Sequence, residues 1–515
     1  MKVLSDIAQS NAWWLIWPEI TLGVLALGLL VATMVRPQWT SSRFFALAFG
    51  GQLLVVGVFI FLWYSASAPS PEAIEVGNKT MGFGDLLVQS SREQWMRCFF
   101  LLSVLPVSWL SAVYLKKQLL PAAEFYTIAC VVTAALMLLV QSQHFVLFFV
   151  ALETAAVGFY VLVSYCRKSA LSLEAGLKYL ILGALSSALL LMGIVLLYGA
   201  GSRPDVSPDS IGRLDALHFD QLSTVISANP QNLWVHVGAV LVLAGLAFKI
   251  GVFPFQIWIP DVYQGAPTPT AAFLAVSSKA AGIFALISLI RGPFHSLGFL
   301  LEPMLSTAAV LTILFGNLAA LTQYNVKRLM GLSGIAHAGY LLMGAVAAFK
   351  VSWIEVAVGF YLLTYFLGAF AVFGVMAHVA GTEDANQKLE DYRGLGRKQP
   401  FLAIVLTLGL GSLAGIPPLA GFAGKLLLFL AAFEAGLYAL MVCTLIGVFM
   451  GVYYYLAWVR EAVFAPREPQ TSAVPTSCRE DLNPSRGQRW AWGSLAAGTI
   501  VIGLYQGGLL RVLSS

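Results

Sequence analysis

Charge is scarce in this sequence. Only 11% of its 515 residues are Asp, Glu, Lys or Arg, against ~25% in a soluble globular chain. A water-soluble enzyme is thereby excluded, and no nucleic-acid partner is expected. Cysteine is scarce as well: Cys98, Cys130, Cys166, Cys443 and Cys478 are scattered without CxxC or CxxxC spacing, so neither a metal site nor an iron–sulfur cluster is expected. There is no Gly-rich dinucleotide loop. Residues 1–13 lack the basic region, short apolar core and small-residue cleavage site of a removable signal, so none is expected.

What is abundant is apolar sequence, 59% of the residues. Runs of about 20 apolar residues, enough to cross a hydrocarbon layer of about 30 Å, recur along nearly the whole chain and leave no room for a large soluble domain. The expected fold is an all-α polytopic membrane protein. Windows of about 19 residues give about fourteen spans, with cores at 13–35, 43–64, 95–115, 121–141, 145–165, 173–198, 233–259, 268–290, 301–322, 329–349, 353–378, 400–432, 436–459 and 490–510. Loops after odd-numbered spans hold most of the Lys and Arg, among them Arg36, Arg43, Lys116, Lys117, Arg167, Lys168, Lys327, Arg328, Arg393 and Arg397. Loops after even-numbered spans hold only Lys79, Arg92, Arg203, Arg213, Arg291 and Lys350. The positive-inside rule then places the odd loops in the cytoplasm and both termini on the outer side.

Proline interrupts two spans, the seventh at FKIGVFPF (Pro254) and the twelfth at GSLAGIPPLAGFAGKLLLF (Pro417, Pro418). They lie five spans apart, so they cross the membrane in opposite directions. Spans four to eight and nine to thirteen therefore read as two inverted repeats with discontinuous helices, an arrangement that marks ion sites in transporters. The expected divisions are a three-helix extension at 1–120, a first repeat at 121–290, an inverted second repeat at 301–460, and a cytoplasmic loop with the final helix at 461–515.

Charges inside these spans cost at least about 2.5–3.5 kcal/mol each and need a reason. Glu153 lies too deep in the fifth span to snorkel easily. Lys178, about a turn and a half inside the sixth, either snorkels to the cytoplasmic interface or belongs with the buried charges. Lys249 is the deepest and precedes Pro254, which frees the Ile250 carbonyl of its helical partner; such backbone should line a hydrated, protein-enclosed cavity. Lys279 sits among small residues in the eighth span. Lys425 follows Pro417 and Pro418 closely enough for the carbonyls of Leu413 and Ala414 to surround it. His337 is either a hydrogen-bonded core histidine or a relay group with easy proton exchange. Lysine ionises near 10.4 in water; apolar surroundings disfavour its charged form and a nearby carboxylate restores it. A Glu–Lys pair whose spacing changes can therefore load and release a proton. By repeat order Glu153 corresponds to His337, and Lys249 to Lys425. Glu19 is expected to snorkel, Lys327 and Arg328 to be orientation charges, Tyr453–Tyr455 to be packing or interfacial aromatics, and Asp261 and Tyr263 to brace the loop after the first break.

FKIGVFPFQIWIPDVYQGAPTP, SGIAHAGYLLMG and SLAGIPPLAGFAGKLLLF together resemble the subunit N family of bacterial NADH:quinone oxidoreductase, respiratory complex I, which is also subunit 2 of its chloroplast and cyanobacterial relatives. The resemblance covers essentially the whole chain. It implies a fourteen-helix antiporter-like subunit that translocates protons in the inner membrane, with Glu153 and Lys249 as a coupling pair, Lys279 as central relay, Lys425 as exit-side group and Lys178 on the polar axis. It implies no cofactor in this chain, with NADH, FMN, iron–sulfur clusters and quinone held by partner subunits. The implied partners are the lipid bilayer and the other membrane subunits of the complex, especially neighbouring antiporter-like and small ones. The competing readings are a subunit of an Mrp-type cation/proton antiporter, a stand-alone solute transporter and a purely structural membrane partner.

Overall fold

The computed structural model describes residues 13–65, 75–76, 79–83, 85–201, 216–381, 384, 387–464 and 484–514. Residues 202–215 of the loop at 199–233 and 465–483 of the loop at 465–488, with Arg203, Arg213, Arg467, Cys478 and Arg479, lie outside the described residues. The chain is nearly all helix: α1 Trp17–Val35, α2 Ser41–Ser65, α3 Ser91–Lys117, α4 Ala123–Gln141, α5 Phe145–Val163, α6 Ala170–Gly201, α7 Phe219–Ala228, α8 Leu233–Ile250 and α9 Trp258–Gly265. Then follow α10 Thr268–Arg291, α11 Gly298–Leu321, α12 Val326–Ala347, α13 Ile354–Val379, α14 Pro400–Ala414, α15 Ala420–Glu434, α16 Tyr438–Val463, α17 Arg486–Leu504 and α18 Gln506–Ser514. Twelve helices among the described residues are long and apolar enough to cross a membrane. The expected seventh span stops as a helix at Ile250, and the expected twelfth is divided into α14 and α15.

Local sequence explains the helix starts. Asn232 caps α8 by accepting the Trp234 N–H, and Asn325 caps α12 by accepting those of Lys327 and Arg328. Small residues then let helices approach: Gly193 of α6 faces Gly238 of α8, and Gly316 of α11 faces Ala336 of α12. Helix α12 is buried around its whole circumference, with α10 and α13 nearly so, which is how a helix apolar on all sides behaves at the centre of a bundle.

The loops segregate by parity. Those after the second, fourth and sixth spans meet at one end, where Gln143 N–H donates to Leu86 O and Phe145 N–H to Leu217 O. A three-stranded antiparallel sheet, β1 Glu75–Val76, β2 Lys79–Gly82 and β3 Leu87–Gln89, forms part of that end. At the opposite end Lys117 donates to His378 O and Lys327 pairs with Asp384.

Glu19 does not snorkel. Arg97 of α3 grips it with two hydrogen bonds, 2.7 and 2.9 Å, and Gln141 of α4 adds a third at 2.7 Å. Both side chains are almost fully buried, 2% and 4% exposed, so the pair ties α1 to α3 and α4 at the end where the sheet lies. Breaking a buried pair costs more than replacing it whole. Arg97→Leu should therefore lower the stability of the chain by about 3–5 kcal/mol, and Glu19→Met with Arg97→Leu should recover most of that loss. Thermal unfolding in detergent reads both; a double variant no more stable than the single one would refute this account.

Candidate functional site

Two helix breaks organise the interior, and they are built alike. Helix α8 closes at Gly251, left-handed at φ +82°, with Gly251 N–H on Phe248 O and Val252 N–H on Ala247 O. Helix α14 closes at Gly415, φ +83°, with Gly415 N–H on Ser412 O and Ile416 N–H on Gly411 O. This closure needs a residue at home in the left-handed region, and Pro254 and Pro418 each stand three positions beyond the glycine. The Phe253 N–H, stranded in the first break, donates to Thr312 of α11 at 3.0 Å.

At the first break, Lys249 Nζ lies 3.5 Å from Glu153 Oε1 and donates to the Tyr160 hydroxyl at 3.4 Å. Ser187 of α6 holds the same carboxylate oxygen at 2.5 Å. The lysine is 7% exposed and the glutamate 24%. A cavity of about 20 Å³ beside Lys249, bordered by Tyr179 and Ser278, has room for one water. Glu153 also opens sideways onto a groove of about 580 Å³ between α4 and α5, lined by Ile128, Val131, Val157 and other apolar residues.

Lys279 follows directly on a π-wound turn, Leu274–Ser278, within α10; such turns recur at functional sites. Its ammonium donates to the Gly334 carbonyl of α12 and lies 5.7 Å from the centre of the Tyr365 ring. The same ring packs 4.8 Å from His337. His337 Nδ1 lies 2.6 Å from the Tyr361 hydroxyl and Nε2 3.2 Å from that of Tyr455. Tyr361, His337 and Lys425 border a cavity of about 10 Å³. Lys425 donates to Leu413 O at 2.9 Å and Ala414 O at 2.8 Å, the carbonyls freed by the second break.

Five of the expected residues thus form one row: Glu153 pairs with Lys249, the cavity beside Lys249 reaches Ser278, the residue before Lys279, the Tyr365 ring lies between Lys279 and His337, and His337 and Lys425 border one cavity. Lys178 stands apart: 44% exposed, it pairs with Asp261 at 2.9 Å and with Glu174 at 2.7 Å. Lys249 and Lys425 are not at equivalent places, because the first precedes its left-handed glycine by two residues and the second follows its own by ten. Lys327 and Arg328 are more than orientation charges: Lys327 is 2% exposed on its pair with Asp384, and Arg328 holds Asp261 at 2.7 Å. Of the tyrosine run only Tyr453 faces outward. Tyr454 and Tyr455 are buried, their hydroxyls on Asn317 and His337. Tyr160, Tyr361 and Ser187 belong to the site as well, and their one mark in the sequence is a hydroxyl inside an apolar run.

Residues 142–451 match the family model described as NADH:quinone oxidoreductase/Mrp antiporter, TM. The chain is 52% identical over 510 residues, 99% of its own length and 98% of the relative's, to NADH-quinone oxidoreductase subunit N 1 of Opitutus terrae. A chain in the solved respiratory complex I of Thermus thermophilus with bound aureothin has TM-score 0.74 and 28% identity, with 96% of this chain and 99% of that chain covered. A chain of the Mrp complex from a Dietzia species has TM-score 0.76 at 20% identity, with 97% of this chain and 96% of that one covered, a likeness of fold alone.

A Cβ at Gly183 would overlap the Tyr160 hydroxyl. Alanine in a helix interior ordinarily gains about 1 kcal/mol over glycine, but here the overlap should reverse the sign and cost about 1–3 kcal/mol. Gly183→Ala is thus expected to lower the unfolding midpoint in detergent, and adding Tyr160→Phe to restore part of it. A raised midpoint in the single variant would show that Tyr160 is not held beside Lys249.

Proposed function

Because the chain belongs to the NADH-quinone oxidoreductase subunit N family, and is thereby a membrane subunit of a proton-pumping oxidoreductase, we propose that Glu153, Lys249, Lys279, His337 and Lys425 carry its protons. The observation behind this reading is the row itself: five ionisable groups strung across both breaks, with hydroxyls and water-sized gaps between them. Glu153 and Lys249 are the coupling pair. At 3.5 Å they form a direct ion pair, and a change in their separation is the step that moves the proton. Lys279 and His337 relay it, and Lys425, on carbonyls of the opposite arm, hands it on. Redox energy arrives from partner subunits, which hold NADH, FMN, iron–sulfur clusters and quinone.

Further parts of the reading stand with it. The chain crosses the membrane fourteen times, counting the α14–α15 unit and α17 with the twelve long helices, in two inverted repeats at 121–290 and 301–460. The extension is 1–120, and 461–515 holds the last loop and helix. The identical glycine closures and proline positions of the two breaks support the repeats. Loop charge supports both termini on the outer side of a bacterial inner membrane. The neighbours are antiporter-like and small membrane subunits, and the apolar groove over Glu153 suits a membrane helix of one of them. A solute transporter would need a pocket of ~300 Å³ or more with several polar groups converging in it, whereas the cavities at Lys249 and Lys425 are about 20 and 10 Å³ and the larger groove at Glu153 is lined mainly by apolar side chains.

Lys249→Met or Glu153→Gln in the assembled enzyme should cut proton pumping by about tenfold or more, as loss of a proton-transfer group does, with the amount of assembled complex unchanged. Acidification of closed vesicles on NADH addition measures it; normal pumping by both variants would sink the proposal.

A further inference from the structure

Helix α9, the second arm of the first break, has eight residues and no side-chain cap at its start. A helix that short is far below the ~12–15 residues at which isolated helices become even marginally stable, so tertiary contacts must set its position. Asp261 supplies two of them. One carboxylate oxygen accepts from Lys178 of α6 at 2.9 Å, and the other from Arg328 of α12 at 2.7 Å. Arg328 also donates to Gln264 of the same arm at 2.9 Å, and its neighbour Lys327 donates to Ala266 O, at the arm's far end, at 2.8 Å. A lone half-exposed ion pair contributes little. Here one carboxylate joins cations of two helices, so three helices are fixed by one group.

What the arm carries gives this grip a purpose. One turn before Asp261, Trp258 donates its indole N–H to Phe248 O at 3.0 Å, the residue next to Lys249. The same indole stacks on Tyr179 at 4.5 Å, and Tyr179 meets Tyr160 edge-on at 4.9 Å. Tyr160 is the hydroxyl that Lys249 bonds. Lys178, holding Asp261, is the residue before Tyr179. On the other side, α12 carries Arg328 at its start and, further along, Gly334 and His337 of the relay. The repeats add an independent pointer: Asp261 follows Gly251 by ten positions, as Lys425 follows Gly415. Each second arm thus carries one charge at the same place, turned back onto its own break in one case and outward to neighbouring helices in the other.

We infer that Asp261 is a positioning residue: held by Lys178 and Arg328, it seats α9 between α6 and α12, and the arm in turn holds Lys249 in place beside Glu153. This makes Lys178 a structural cation of the proton path and not a carrier on it. The inference rests on the reading of Glu153 and Lys249 as proton carriers.

The test uses the assembled enzyme in closed vesicles, with acidification read at matched complex content and matched NADH oxidation. Asp261→Asn and Lys178→Met should each lower pumping by at least about threefold, within the range that misplacing a reacting group by about 1 Å can cost. Lys178→Arg should keep it, since a guanidinium can hold the carboxylate but cannot give up a proton. The Asp261→Asn loss should also shrink in a Trp258→Phe background, because both changes act through one arm. Two results overturn the inference: Lys178→Arg as inactive as Lys178→Met, or an Asp261→Asn loss undiminished beside Trp258→Phe. If Asp261→Asn does not assemble, the Met and Arg variants of Lys178 decide alone. Lys249→Arg, run alongside, separates the two levels: normal pumping there removes the proton-carrying reading whatever Lys178 shows.

Discussion

An opened helix in a hydrocarbon phase leaves carbonyls that no lipid can satisfy, and this chain opens a helix twice. The rest of the interior follows from that constraint. Each break must be enclosed by other helices, so the neighbouring α10, α12 and α13 are buried almost throughout. Each must end in a turn that recovers hydrogen bonds, so each has a left-handed glycine. What the turn leaves over is taken by side chains: Thr312 accepts the Phe253 N–H, and Lys425 fills the Leu413 and Ala414 carbonyls. At the second break, the carbonyls that make an intramembrane lysine tolerable are therefore the same groups that the lysine makes tolerable.

The two breaks share a closure and differ in use. In the first, the lysine stands on the arm that enters the break and faces a carboxylate. In the second, it stands on the arm that leaves and faces backbone. A carboxylate attracts an ammonium strongly and can move away from it; carbonyls are weaker and fixed. The first site is thus suited to a change of charge driven from outside, the second to steady holding, which is the basis on which the proposal gives them different roles. Hydroxyls of Tyr160, Tyr361 and Tyr455 lie beside Lys249 and His337, where a further cation would be repelled by the lysines.

Much of this was legible in advance. Five charges and a histidine in apolar runs, two proline interruptions and the loop bias each carry a large free-energy cost or preference, and such features stand out without an alignment. Lys425 met the two carbonyls that its spacing from Pro417 and Pro418 suggested. The misreadings were of groups whose cost is cancelled by a distant partner. Glu19 looked like a snorkelling carboxylate because Arg97 and Gln141 are far along the chain. Lys327 and Arg328 looked like orientation charges because Asp384 and Asp261 are equally remote. Tyr454 and Tyr455 could not be told from Tyr453, since only the helix's rotation against α11 and α12 decides which of them face inward.

The sequence by itself determined that the chain lives in a membrane, where its helices break and that Lys249, Lys279 and Lys425 stay inside, because each is a matter of local composition against the cost of hydrocarbon. Only the tertiary structure decided which charges share a row and which belong to a clamp. Lys178 and Lys249 are both lysines in apolar helices, and what separates them is the direction in which their helices turn them: one toward Asp261 at the end of the bundle, the other toward Glu153 and Tyr160 in its interior. That direction is set by how α6, α8, α9 and α12 pack, through contacts between residues distant in the chain.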